Sequence, residues 1–265
     1  MVLEDIAISR SIVSVYKDKL LECIELDVAL VGAGPSNMIA GYYLGKSGIK
    51  AAILESRLAP GGGMWGGGMM FNEVVVQDEV LNLIEELGIR YREVQKSYYT
   101  MDSIEATSII ISKCIGAGTR IFNLIKVTDV VFREEDGVKR VCGLVINWSP
   151  VESLGLLVDP IAIKASFVVD GTGHPAEICN IVAKKMDVKL HTKTGGVVGE
   201  MSMWAEKGEN FTVTNTREVF PGLYVTGMAA NNAFGGPRMG PIFGGMLLSG
   251  KKVADLIVEK LRNKK

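Results

Sequence analysis

Residues 27–37 read DVALVGAGPSN. A short apolar run, Asp27 to Gly32, is broken by glycine, and after Gly32-Ala33-Gly34 a helical pattern follows over residues 36–46. With AAILE at residues 51–55 as the next strand, this is a βαβ unit. In such a unit Gly32 permits the tight turn and Gly34 lets the backbone approach a pyrophosphate, while the helix start adds N–H donors and the positive end of its dipole. Glu55 ends the second strand, where a carboxylate accepts hydrogen bonds from ribose hydroxyls. Asn37 stands where the usual third glycine would be, so an amide must fit against the sheet. The stretch predicts a dinucleotide-binding α/β fold.

Glycine dominates PGGGMWGGG, residues 60–68, and so many missing side chains indicate a loop lying over a ligand. Helical patterning returns at residues 77–87, closed by Gly88, and at 102–117, closed by Gly118. Residues 121–132, 141–147 and 167–170 read as strands, with a polar hairpin turn at 134–137, giving a three-layer core with an inserted antiparallel β patch. A late strand at 223–226 leads into a glycine-rich loop up to Gly245 and a closing helix over 246–262. Ahead of the sheet, residues 1–26 form a helix in which Ile8, Ile12, Val15, Leu20 and Ile24 suit an interface. No repeat, linker or low-complexity segment divides residues 1–265, which are read as one domain.

Composition narrows the function classes. Of 265 residues 48% are hydrophobic and 22% charged, with a net charge of -1, which excludes a disordered chain. Cys23, Cys114, Cys142 and Cys179 lie far apart without a CxxC pair, so neither a disulfide framework nor a zinc knuckle is expected, and a reducing cytoplasm is. There is no secretory-type opening, no apolar run of the ~18 residues that span a bilayer and no basic tract. Neither a membrane nor nucleic acid is an expected partner.

Three further groups of residues carry chemistry. In Val225-Thr226-Gly227-Met228 a strand ends at glycine, as in flavoproteins with two dinucleotide motifs, but Met228 occupies the place of the aspartate that binds a flavin ribityl chain. That points to a ligand other than flavin. In FGGPRMGP, residues 234–241, Arg238 offers a planar fork for a carboxylate or phosphate. Asp159 and His174, in VDP and GTGH, are a carboxylate and an imidazole suited to an iron-like divalent metal with open positions. His191, between Lys189 and Lys193, reads as a solvated or packing residue. A strand separates Asp159 from His174, and at ~3.3 Å per residue one metal cannot reach both within a chain. A shared metal then needs the aspartate of a neighbouring subunit.

GAGPS at 32–36, ES with APGGGMWGGG at 55–68, VDP at 158–160, GTGH at 171–174 and RMGPIFGGMLLSG at 238–250 together resemble the thiazole synthases of thiamine biosynthesis, in particular the archaeal-type, metal-dependent, sulfide-using members. The resemblance covers nearly the whole chain and implies a Rossmann-like fold of the glutathione reductase type. It also implies consumption of NAD, whose ADP-ribose part is joined to glycine and sulfur in an ADP-linked thiazole carboxylate. Carried over by motif, Gly32, Gly34, Ser36, Glu55, Ser56, Gly63 and Val127 line the NAD site, with Met228, Arg238, Met239 and Gly240 nearby. Arg238 would bind glycine. Asp159 and His174 match the Fe(II) ligands, contributed across a subunit interface of a homo-octamer.

One position departs from the pattern. Two residues before the VDP aspartate, fungal and plant members carry a cysteine that gives up its own sulfur, and many archaeal-type members carry histidine; here it is Leu157. Leucine donates nothing, so sulfur must arrive as free sulfide or the synthase reaction is lost. Three alternatives stay open in the sequence: a ribose 1,5-bisphosphate isomerase, a flavin or NAD oxidoreductase of the same fold, and an inactive NAD-binding scaffold.

Overall fold

The computed structural model describes residues 3–263; residues 1, 2, 264 and 265, included in the expected domain, lie outside the described residues. Helix α1 (Asp5–Glu22) contributes no buried residue. Strand β1 (Glu25–Val31) starts two residues before the expected one and leads through Gly32 into α2 (Pro35–Lys46), whose first turn holds proline, then into β2 (Ala51–Leu54). The glycine stretch is a loop containing a 3-10 turn at Gly62–Gly66.

Next comes a part that the sequence pattern did not reveal. Strands β3 (Glu73–Val76), β4 (Arg92–Gln95) and β5 (Tyr98–Asp102) form a separate antiparallel sheet in the order β3-β5-β4, with α3 (Leu81–Leu87) between β3 and β4. All four residues of β4 are exposed, so no alternation of apolar and polar side chains marks it. The helix expected from residue 77 begins at Leu81, after a 3-10 turn at Asp78–Val80. Asp102 caps α4 (Ser103–Gly116) by accepting from the Glu105 amide at 2.8 Å.

The single strand expected over 121–132 is two. β6 (Arg120–Phe122) stays in the main sheet, Leu124 turns the chain with φ +57°, and β7 (Ile125–Glu135) leaves to pair with β8 (Val138–Trp148). A left-handed leucine has no sequence signature, which is why the break was not legible. The hairpin turn is Asp136-Gly137, both with positive φ, the conformation that matches strand twist in a two-residue loop. After α5 (Ser149–Ser153), strand β9 runs over Ile161–Asp170, and residues 167–170 are only its last part. Helices α6 (Glu177–Lys185) and α7 (Ala205–Asn215), the edge strand β10 (Arg217–Phe220), β11 (Leu223–Val225) and α8 (Met228–Phe234) precede α9 (Gly244–Arg262). The expected glycine-rich loop thus contains the helix α8, and the closing helix starts at Gly244 rather than 246.

The main sheet has the parallel order β6-β2-β1-β9-β11, with β10 antiparallel outside β11. β8 pairs antiparallel with the first half of β9 and brings β7 with it, which is the inserted antiparallel patch. Alternation along β1 sorts the two faces. Val28 and Leu30 pack with Met38, Ile39, Ile110, Leu247 and Val253 of the helices α2, α4 and α9, while Ala29 and Val31 pack with Leu144, Ile146, Ile178, Val182 and Ala229 of β8, α6 and α8. Strand order reverses between β1 and β9, and Val31 is in register with Asp170 at their carboxyl ends. A doubly wound sheet opens its ligand crevice at that reversal.

Candidate nucleotide and metal site

A cavity of about 520 Å³ opens at the carboxyl ends of β1 and β9. Its floor is the turn after β1. Gly32 has φ +87°, and a Cβ there would stand 2.7 Å from the carbonyl oxygen of Gly171, so no other residue fits the turn. Gly34, Pro35 and Ser36 line the wall at the start of α2, which sets the positive end of the helix dipole at the cavity. Asn37, unfavourable as a missing glycine, has its own structural role. Fully buried, its amide donates to the carbonyls of Val31 and Gly32 at 2.8 Å, and its side chain fills the space beside Gly171.

Glu55, 6% exposed, ends β2 at the cavity wall. Its Oε2 accepts from the Ala33 amide at 2.7 Å and Oε1 from the Arg57 amide at 2.8 Å, so the carboxylate binds the glycine turn to β2. Oε1 also accepts from the Ser56 hydroxyl at 3.5 Å, and Oε2 keeps a second lone pair for a ligand hydroxyl. Ser56, Gly63 and Val127 complete this side, the last held at the start of β7. Met228, Met239 and Gly240 close the opposite wall, and Met228, 8% exposed, presents a thioether where a flavin-binding carboxylate would be needed.

The turn after β9 is built around Asp170, which is completely buried. Oδ1 accepts from the amide and hydroxyl of Thr172 at 3.0 and 2.7 Å, and Oδ2 accepts from the amides of Ile178 and Cys179 at 3.0 Å. Burial pushes the Asp170 carboxyl up and the hydrogen bonds act against it. The carboxylate thereby fixes both ends of the turn that carries His174 to the cavity rim. His174 is half exposed, and both oxygens of Glu200 lie 2.8 Å from its Nδ1. Nε of Arg238 is 3.9 Å from Oε2 of the same glutamate, which leaves the guanidinium largely open to the mouth of the cavity. An ion pair between Lys126 and Glu177 borders the other rim.

All the expected nucleotide-site residues, with His174 and Arg238, therefore line one cavity. Asp159 does not. It lies exposed in the segment before β9, beside Leu157, whose side chain is entirely exposed. Glu200 was not found in the sequence, because no motif surrounds it and only the tertiary fold brings it to His174. Among the described residues no group of three or more His, Cys, Asp and Glu side chains converges as a metal site. Within one chain only His174 presents an imidazole at the cavity rim, with the Glu200 carboxylate on its Nδ1.

None of the four cysteines lines the cavity. Burial raises the thiols of Cys23 and Cys179, and that of Cys114 to about 12, so these three are held protonated and unreactive. No helix of the described residues is long and apolar enough to cross a membrane.

The model of the Thi4 family matches residues 9–243. The thiamine thiazole synthase of Methanothermobacter thermautotrophicus is 52% identical over 262 residues, covering 99% of this chain and 100% of that protein. The one from Pyrococcus horikoshii is 54% identical over 261 residues, covering 98% and 100%. The crystal structure of THI4 from Thermovibrio ammonificans superposes with a TM-score of 0.96 at 50% identity, covering 99% of this chain and 100% of that one. Similar in sequence and in fold over nearly its full length, the chain belongs to the Thi4 family.

Proposed function

We propose that the chain is a thiamine thiazole synthase, which joins the ADP-ribose part of NAD to glycine and to sulfur delivered as free sulfide. The observation that carries this reading is the gathering, in one cavity at the strand reversal, of a dinucleotide cradle, an imidazole on a carboxylate and an open guanidinium. The turn at Gly32 and Gly34 and the start of α2 would take the pyrophosphate, and Glu55 the adenosine ribose. Arg238 would hold the carboxylate of glycine in a bidentate, charge-assisted pair and so orient it against the sugar.

The donor set fits an Fe(II) held by His174 of one chain and Asp159 of another. Bound there, iron would supply Lewis acidity and open positions at which sulfide and substrate can meet. Leu157 supports an external sulfur source, since an aliphatic side chain has none to give, and the raised thiols argue against a donor elsewhere.

Sharing a metal requires assembly. Exposed apolar side chains on α1, including Ile6, Ile12, Val13 and Val15, and Leu154, Leu156 and Leu157 beside Asp159, support an oligomer, read as the octamer the resemblance implies. Four free cysteines suit a reducing cytoplasm. Mass spectrometry of small molecules released when the purified protein is denatured tests the reading. An ADP-linked thiazole carboxylate is expected; a bound flavin would favour an oxidoreductase instead.

A further inference from the structure

Glu200 lies between the two side chains to which the proposed function gives the substrate-end chemistry. Its carboxylate is 15% exposed, with both oxygens 2.8 Å from Nδ1 of His174 and Oε2 3.9 Å from Nε of Arg238. The backbone around it is tied on both sides. The Gly199 amide donates to the Asn232 carbonyl at 3.0 Å, the Met201 amide to the Gly236 carbonyl at 2.9 Å, and the Arg238 amide back to the Met201 carbonyl at 3.2 Å. The Asn232 side-chain amide in turn donates to the His174 carbonyl. The carboxylate is thus placed by backbone hydrogen bonds to α8 and the loop after it, which also reach the His174 turn.

A carboxylate has no proton to donate in its ionised form, so its contact with Nδ1 requires that nitrogen to carry the hydrogen. In the neutral ring the other nitrogen is then left with its lone pair. We propose that Glu200 is a positioning residue that fixes His174 as the Nδ1-protonated tautomer, so that Nε2 is the atom His174 presents to the cavity. The same carboxylate also faces the Arg238 guanidinium, 3.9 Å away. The tautomer assignment stands on the geometry alone. Its consequence for a metal rests on the proposed function, because a ligating imidazole held by a carboxylate is more basic and already oriented.

Nitrogen-15 spectra of the metal-free protein, with ring nitrogens labelled and at about pH 9, where an ordinary imidazole is neutral, test the tautomer directly. Only His174 and His191 contribute, and His174→Gln assigns the signals. The wild type should show a protonated Nδ1 and an unprotonated Nε2 on His174, and Glu200→Gln should give a tautomer mixture. Anaerobic calorimetry with Fe(II) alone should then show about a 10- to 100-fold loss of affinity in Glu200→Gln, with NAD affinity unchanged. A wild-type ring protonated on Nε2, or an unaltered tautomer and Fe(II) affinity in Glu200→Gln, overturns the inference. Should Glu200→Gln fail to fold, the wild-type spectrum still decides. Undiminished Fe(II) binding by His174→Ala would overturn the metal reading while leaving the tautomer result to stand or fall by itself.

Discussion

Asp159 and His174 flank opposite ends of β9. The strand has ten residues, Ile161–Asp170, and at ~3.3 Å per residue its ends stand about 30 Å apart. They cannot share a ligand within one chain. If they act together, each site joins the His174 rim of one copy to the Asp159 loop of another.

Complementation tests that arrangement. Asp159→Ala and His174→Ala should each be inactive, and oligomers assembled from equal amounts of both should regain about a quarter of wild-type activity, because one site in four then combines an intact Asp159 with an intact His174. Mixed oligomers that stay inactive would show that the two residues do not build one shared site.

Arg238→Lys keeps the charge and loses the fork. Its expected effect is a rise in the KM for glycine of about 10- to 100-fold, the cost of replacing a bidentate charged pair, with the Kd for NAD unchanged. Steady-state kinetics at saturating NAD would measure it. A normal glycine KM would remove Arg238 from glycine recognition.

Glu55 has a double role that separates binding from folding. Glu55→Gln should weaken NAD and ADP-ribose to the same degree, by about 1–3 kcal/mol, the range for hydrogen bonds involving a buried charged group. Titration calorimetry with both ligands provides the readout. Wild-type affinity for both would reduce Glu55 to its two backbone hydrogen bonds, those with Ala33 and Arg57.

A buried acid away from the cavity makes a pH prediction. Glu209 accepts from Gln77 Nε2 and from the Gly245 amide at the start of α9, while its Oε1 has no partner, and burial raises its carboxyl. A raised folded-state value means that the folded protein holds the proton where the unfolded chain has released it. This contribution to stability is complete below the ordinary glutamate range and falls as pH rises through the raised value. Thermal melts should show Glu209→Gln gaining on the wild type as pH rises from the ordinary glutamate range near 4.5 to neutrality. Parallel Tm curves for the two proteins would contradict the assignment.

The sequence and the structure agree most closely where chemistry restricts the residue. Gly32, Gly34 and Glu55 were readable because a tight turn, a close backbone approach and a strand-end acid each demand a residue type, and the Asp136-Gly137 turn was readable for the same reason. The separation of Asp159 from His174 followed from strand length, although β9 proved longer than residues 167–170. Strand β4 was not legible because its exposed Arg92, Glu93, Val94 and Gln95 carry no burial pattern. Leu124, which divides β6 from β7, adopts a left-handed conformation that leucine does not advertise. Asn37 read as a defect in the nucleotide fingerprint, whereas it fills the space beside Gly171 and pins two strand-end carbonyls. Glu200 stayed hidden because its partners are 26 and 38 residues away and no secondary structure sets the spacing.

The proposed function has this chain make thiazole with sulfide from solution and survive the reaction. An anaerobic assay with Fe(II), NAD, glycine and excess sulfide, counting ADP-linked thiazole carboxylate per chain and then weighing the protein by mass spectrometry, tests it most directly. Several products per chain and an unchanged protein mass are expected. At most one product per chain, with a protein lighter by the elements of hydrogen sulfide, would contradict it and identify one of the four cysteines as a sacrificial sulfur donor.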